Sequence, residues 1–220
     1  TPTNRWKIQV YKDMWKPPWL RFNVDSPTEG EEYFARVTYT IKRRLEVYGQ
    51  FKTKINALNS RPTGDAIANV VEQRKSSARL HINNMLDKAI QLRTRLEWSF
   101  YSLAEEDQKG FLLYQDVIYK PLASPWSFSA RVTLFDADDY ESRIYTYEND
   151  LIYYYAIPAF NDQGSRYYIN VRYKGIRNLT AEIKFAQTRY LDITSLGSGN
   201  DEIEGNKRTE IRAQVIYRWE

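Results

Sequence analysis

The chain has 220 residues, no cysteine and a formal net charge of +4, with basic and acidic residues mixed along its length. The lack of cysteine excludes a disulfide framework and thiolate metal sites, and the mild, unclustered charge argues against a nucleic-acid partner. Aromatic residues reach 15%, with 18 Tyr and 6 Trp, although 27% of residues are charged and the mean hydropathy is −0.66.

Tyr and Trp suit positions with one apolar and one wet end, which is why they collect in membrane-interface belts. A soluble core of this size would normally lean on Leu, Ile and Val. The longest uncharged run near the aromatic peak, 151–160, is too short for a transmembrane helix. Any membrane insertion must therefore use strands, the other structure that satisfies every backbone group in lipid. The chain starts Thr1-Pro2-Thr3, without an initiator Met or a signal peptide, and so reads as mature, processed or partial.

Polar and apolar residues alternate in segments about nine to fourteen residues long. In chain order the pattern predicts strands at 5–14, 19–24, 32–42, 44–56, 76–86, 89–102, 110–119, 127–136, 143–156, 166–174, 178–190 and 207–219. In the third of these, Tyr33, Ala35, Val37, Tyr39 and Ile41 oppose Phe34, Arg36, Thr38 and Thr40. In 89–102, Ile90, Leu92, Thr94, Leu96, Trp98 and Phe100 oppose Gln91, Arg93, Arg95, Glu97 and Ser99. In 178–190, Leu179, Ala181, Ile183 and Phe185 oppose Thr180, Glu182, Lys184 and Ala186. The last strand sets Ile211, Ala213, Val215, Tyr217 and Trp219 against Arg208, Glu210, Arg212, Gln214, Ile216 and Arg218.

Residues 42–44, 87–88 and 175–177 read as hairpin turns. Residues 59–75 and 192–206 read as polar loops, with a short loop helix at 65–74, and Pro17-Pro18 as a rigid turn. Polar faces this charged are ordinary for a watery barrel lumen, and period-two alternation repeated along the chain is the signature of a transmembrane barrel. The expected fold is all-β: one domain over 1–220, an antiparallel up-and-down transmembrane β-barrel with about eleven or twelve visible strands, alone or as part of a larger barrel. Long loops normally gather outside and short turns inside such a barrel. Counting back from a periplasmic C-terminus puts 192–206 outside but 59–75 on the periplasmic side, so either the strand count is off by one or the barrel has a structured periplasmic loop.

Five stretches in this order carry a resemblance: Pro18-Trp19-Leu20-Arg21 through Asp25-Ser26-Pro27; Gly110-Phe111-Leu112-Leu113-Tyr114-Gln115-Asp116; Arg143-Ile144-Tyr145-Thr146-Tyr147-Glu148-Asn149-Asp150; Arg166-Tyr167-Tyr168-Ile169-Asn170-Val171-Arg172-Tyr173; and Gly197-Ser198-Gly199-Asn200-Asp201-Glu202-Ile203-Glu204-Gly205-Asn206. Together the chain resembles the C-terminal β-barrel region of large Bacteroidota outer-membrane proteins often described as helix-hairpin-helix-containing. The resemblance implies a barrel, the bacterial outer membrane and further strands upstream, but no reaction. A helix-hairpin-helix segment is lacking here, so DNA binding is not carried over. A C-terminal strand ending in an aromatic also looks like the last strand of outer-membrane proteins, with Glu220 as a departure.

The polar phase carries Arg36, Arg79, Arg93, Arg95, Arg131, Arg172, Arg212 and Arg218 against Glu46, Glu97, Asp116, Glu148, Glu182 and Glu210. Two readings compete: an arginine-lined, anion-favouring pore, or an interlocked network of Arg–carboxylate pairs that fills the lumen. The near balance of signs on adjacent strands favours the network. Trp6, Trp98, Trp126, Tyr153, Tyr217 and Trp219, with Trp15, Trp19 and Tyr155, read as an interfacial girdle in preference to a sugar-stacking platform.

His81, the only histidine, reads as a lumen-facing hydrogen-bonding residue. Its rival role is the base of an outer-membrane hydrolase, for which no serine is singled out. Asp136, Asp138, Asp139 and Glu141, and separately 200–204, offer oxygen ligands suited to Ca2+ but lack an EF-hand loop pattern, so each reads as a solvated turn. No phosphate-binding loop, zinc ligand set or triad is present, so neither enzyme nor cofactor is expected. The expected role is non-enzymatic: a channel or transport component, or a structural scaffold in an envelope complex. Its partners would be the lipid bilayer and either other envelope proteins or an upstream part of the same chain. The alternative is a soluble β-rich ligand-binding module.

Overall fold

The structure, a computed structural model, describes residues 5–20, 22–60, 69–197 and 199–219. Ten long strands form one antiparallel sheet in which sequence neighbours are spatial neighbours throughout. They are β1 (Trp6–Trp15), β2 (Gly30–Ile41), β3 (Leu45–Ser60), β4 (Asn69–Met85), β5 (Ile90–Leu103), β6 (Glu106–Tyr119), β7 (Trp126–Ala137), β8 (Asp162–Tyr173), β9 (Leu179–Tyr190) and β10 (Lys207–Tyr217). The all-β, antiparallel, up-and-down expectation is met. No helix among the described residues is long and apolar enough to cross a membrane, which says nothing about strands.

Three expectations are corrected. Two of the twelve expected strands are absent from the sheet, leaving ten. The described part of 19–24 is turn and bend around an isolated bridge at Val24, because Pro17 and Pro18 just ahead of it have no backbone N–H to give a ladder. The stretch 143–156 does alternate in burial: Ile144, Thr146, Glu148 and Asp150 are buried while Tyr145 and Tyr147 are exposed. It belongs, however, to a segment, 138–161, folded back against one face of the sheet. Alternation reports two unlike sides, and a segment lying on a sheet has two unlike sides as well. Of the expected loop helix at 65–74, residues 69–74 are the start of β4 and the rest lies outside the described residues.

The third correction is closure. The sheet is not closed into a barrel: β1 and β10 are its edges and do not pair. Alternation within a strand specifies its faces, whereas closure requires an edge-to-edge register that no single strand encodes.

Dropping 143–156 from the count removes the topological conflict. The connections 42–44, 86–89, 120–125 and 174–178 now lie at one end of the sheet, the turn end. The connections 16–29, 104–105, 138–161 and 191–206 lie at the other, the loop end, where β3 also ends and β4 begins. All the long connections thus share a side. Tight turns at the turn end place Arg43 (φ 61°) and Asn178 (φ 61°) in the left-handed region.

The ladder registers sort every strand residue onto one of two faces. The inner face carries the 138–161 segment. On the outer face, positions 33–41, 45–55, 76–84, 90–100, 111–119, 126–134, 165–173, 179–187 and 209–217 hold no charged side chain, and neither do Trp6, Ile8 and Val10. Outer-face charges, among them Lys12, Glu31, Arg74, Lys109, Asp136, Arg189 and Lys207, are confined to the loop end; Lys12 and Glu31 pair there at 3.1 Å. An uncharged run of about nine residues at about 3.4 Å each spans roughly 30 Å along a strand, or about 20–25 Å in height at a tilt of about 40°.

Candidate functional site: the charged inner face

The inner segment is built from its root. Asp138 accepts the Lys109 backbone N–H at 2.8 Å. Asp139 caps the 3-10 turn Tyr140–Ser142 in a reciprocal pairing with Ser142, an arrangement that satisfies donors at the start of a turn. Ser142 lies directly over Gly110 of β6, where a Cβ would collide with the Ser142 carbonyl oxygen. Ile144–Tyr145 then pairs with Ala159–Phe160, and Glu148 bridges Ala156, so the segment is an irregular hairpin with its tip near 149–155. Ile144 and Phe160 join Leu112, Tyr114 and Phe135 in a small buried apolar cluster on the inner face.

Beyond that cluster, towards the turn end, the contacts become ionic. Arg131 on β7 forms a two-pronged pair with Asp116 on β6, one arm at 2.7 Å. Its remaining nitrogen donates to Thr146 Oγ1 and the Tyr147 carbonyl, each at 2.8 Å. The guanidinium carbon lies 3.7 Å from the Tyr114 ring centroid. Arg166 on β8 grips Glu148 with Nε and Nη2 at 2.7 and 3.0 Å and donates to Thr188 and Glu210. Lys184 on β9 reaches Glu148 at 3.2 Å and Asp150 at 2.8 Å; Arg212 on β10 reaches Asp150 at 2.7 Å and Glu210 at 2.8 Å. At the tip, the Ile152 N–H donates to Glu182 at 2.7 Å, and Glu182 also pairs with Arg172.

Burial by itself raises the Glu148 carboxyl, but Arg166 and Lys184 outweigh it and hold the group below the ordinary carboxylate range. Charge complementarity is the organising principle. The segment brings Glu141, Glu148 and Asp150, and the sheet answers with Lys75, Arg166, Lys184 and Arg212.

The other half of the expected network forms a second cluster. Arg79 makes a two-pronged pair with Glu97 at 2.8 and 3.1 Å, Arg95 pairs with the same carboxylate, and Arg95 donates to the Tyr145 carbonyl at 3.3 Å. Arg93 donates to Gln91 at 3.2 Å; Arg36 bonds Gln50 and lies 4.6 Å from the Tyr48 ring centroid. His81 packs against Tyr48 at 5.0 Å among these arginines, and its buried Nδ1 has no hydrogen-bond partner. No hydroxyl or carboxylate among the described residues bonds its ring.

Two charged positions fall elsewhere than expected. Glu148 is on the folded-back segment and not on a strand of the sheet, and Arg218 is exposed beyond the end of β10, outside the network. Three members of the network were missed. Arg166 sits in the same alternating phase as Arg172, so extending that phase would have found it, and Lys184, already on the polar phase beside Glu182, was not counted among the paired charges. Asp150 was hidden because its stretch read as a strand.

Among the aromatics, Trp6, Trp98, Trp126 and Tyr217 occupy the outer face; Trp219 follows β10 and packs edge-on against Tyr217 at 4.8 Å. Trp126 pairs with Tyr173 at 4.6 Å and Trp6 with Tyr39 at 4.8 Å, all at the turn end. Tyr153 is corrected: it lies at the tip of the inner segment with φ 69°, because the residues around it are not a membrane-facing strand. Trp15 lies on the inner phase, 5.1 Å from the Lys54 ammonium.

The acidic stretch 136–141 is dispersed. Asp136 is on the outer face, Asp138 and Asp139 cap backbone, and Glu141 pairs with Lys75 at 2.5 Å. Among the described residues no group of His, Asp or Glu converges as a metal site. A scan against protein-family models finds no match, and a search of curated proteins finds no relative.

Proposed function

We propose that this chain is a wall of an integral β-barrel of the bacterial outer membrane with a non-enzymatic role, its inner face filled by the 138–161 segment. The observation that carries this reading is the uncharged outer band shared by all ten strands. In water it would be an apolar patch far larger than the few hundred Å2 that monomeric soluble proteins expose. In lipid it is what a barrel exterior requires, together with Tyr and Trp at its rim. Gathering of the long connections at one end, and the resemblance to Bacteroidota outer-membrane barrels, support the same reading.

Between channel and scaffold, the ion-paired hairpin on the inner face favours a filled wall. An unpaired sheet edge is not viable in hydrocarbon, so this reading also requires both β1 and β10 to be paired in the membrane, with each other, with more of the same polypeptide or with another envelope protein.

The test is fractionation of cells making the chain, followed by gel migration with and without boiling. Recovery in the outer membrane with heat-modifiable migration is expected. A detergent-free soluble monomer would overturn the reading in favour of a soluble ligand-binding module. A steady open current across planar bilayers would overturn the filled wall and leave a channel.

A further inference from the structure

We propose that Arg166, Lys184 and Arg212 form an anion-binding site for a phosphate- or carboxylate-bearing solute, which the chain's own Glu148 and Asp150 occupy as tethered competitors. The inference rests on the inner face alone and holds whether or not the outer band meets lipid.

Three cations from three adjacent strands converge on two carboxylates that belong to no strand of the sheet. The cations are held by a continuous backbone ladder. Within the segment, backbone hydrogen bonds close its own hairpin, Thr146 N to the Pro158 carbonyl and Glu148 N to the Ala156 carbonyl, while Asn149 N–H and Ile152 N–H donate to the side chains of Tyr168 on β8 and Glu182 on β9. Its grip on β8, β9 and β10 runs through side chains. The donors are thus fixed in place while the acceptors are replaceable.

The donor set has the geometry of an anion cradle. Arg166 presents two parallel N–H groups, the form that recognises a carboxylate or phosphate edge. Lys184 adds a point charge shared between both carboxylates. Access is also present. A cleft of 410 Å3, lined by Tyr154, Arg166, Thr188, Arg208, Glu210 and Arg212, opens beside the cluster. The Arg208 side chain there is 63% exposed and lies no closer than 3.7 Å to a carboxylate, Glu210, leaving it available to an entering anion. Arg212 also stacks over Tyr154 at 4.1 Å, so one wall of the cleft offers an aromatic face beside a cation.

The test replaces both competitors, Glu148→Gln with Asp150→Asn, and uses inorganic phosphate as the probe against chloride at equal ionic strength. The detergent-solubilised or soluble protein serves equally, so failure of membrane insertion does not affect the result. Phosphate is expected to bind the double variant at least about ten-fold more tightly than the parent chain and to raise its melting temperature by mass action. Should the variant not fold alone, phosphate-dependent recovery of its strand signal, absent with chloride, is the same result in another form. Adding Lys184→Gln and Arg212→Gln must abolish the effect. Equal binding to parent and variant, no rescue, or an effect that survives the added substitutions would overturn the proposal and leave the cluster as a purely structural lock.

Discussion

Asp116 is fully buried, and among the described residues the cation that pairs with it is Arg131. A buried pair of this kind is weak evidence for net stability, because desolvation offsets most of the attraction; loss of one partner is costly, because the other charge stays buried. Arg131→Gln is therefore expected to destabilise by about 3–5 kcal/mol, while Arg218→Gln on the exposed tail should stay within about 0.5 kcal/mol. Chemical unfolding in one detergent, read by tryptophan emission, compares the two. Similar small effects would mean that Asp116 is hydrated.

Glu148 adds a pH dependence of definite sign. Its carboxyl is held low in the fold by Arg166 and Lys184, so its contribution is complete above the ordinary carboxylate pKa of about 4.3 and is lost as pH falls through the folded value. Stability should be level above about pH 5 and decline on acidification. Glu148→Gln should flatten that decline, which a pH series of unfolding curves would reveal.

The root of the inner hairpin contains a close backbone approach. Gly110 leaves room for the Ser142 carbonyl, and any side chain there must displace the capped turn Tyr140–Ser142. Gly110→Val is expected to cost about 1–3 kcal/mol through overpacking and to free the segment for proteolysis. Gly49 is the matched control: it lies on the outer phase of β3, and a Cβ there would meet nothing within 4 Å. Gly49→Val should be neutral or slightly stabilising, since Gly in a strand interior costs about 0.5–1 kcal/mol relative to Ala. If both variants protect the segment equally from protease, the root contact is not what docks it.

At the scale of the whole sheet, the two faces make opposite predictions for the same chemical change. Leu113→Arg or Val132→Arg places a charge in the middle of the outer band and is expected to weaken folding into lipid vesicles by about 2–4 kcal/mol. The same substitution at Gln214 on the inner face, which lies opposite the Glu182 carboxylate, should leave insertion unchanged. Urea titration of vesicle-folded protein measures both, and equal costs would mean that the outer band does not meet lipid.

Much of this arrangement could be read from residue order. Alternation located nine of the ten long strands to within a few residues, with β4 found only in its later half, and assigned Arg79, Arg95, Glu97, Asp116, Arg131, Arg172 and Glu182 to one phase. It did so because a strand's side chains have a period of two, and contrasting surroundings leave that period in the sequence. The same local signal was silent on three matters. It did not distinguish a strand in the sheet from 143–156 lying upon it, since both have one buried and one exposed side. It did not pair Arg166 and Lys184 with Glu148 and Asp150, because ion pairing between distant segments depends on how the chain folds back. Nor did it decide closure, since β1 and β10 are complete strands by every local measure and their pairing is a relation between the two ends of the sheet. Faces are properties of a strand and were set by sequence; contents and closure are properties of an assembly and waited for the tertiary structure.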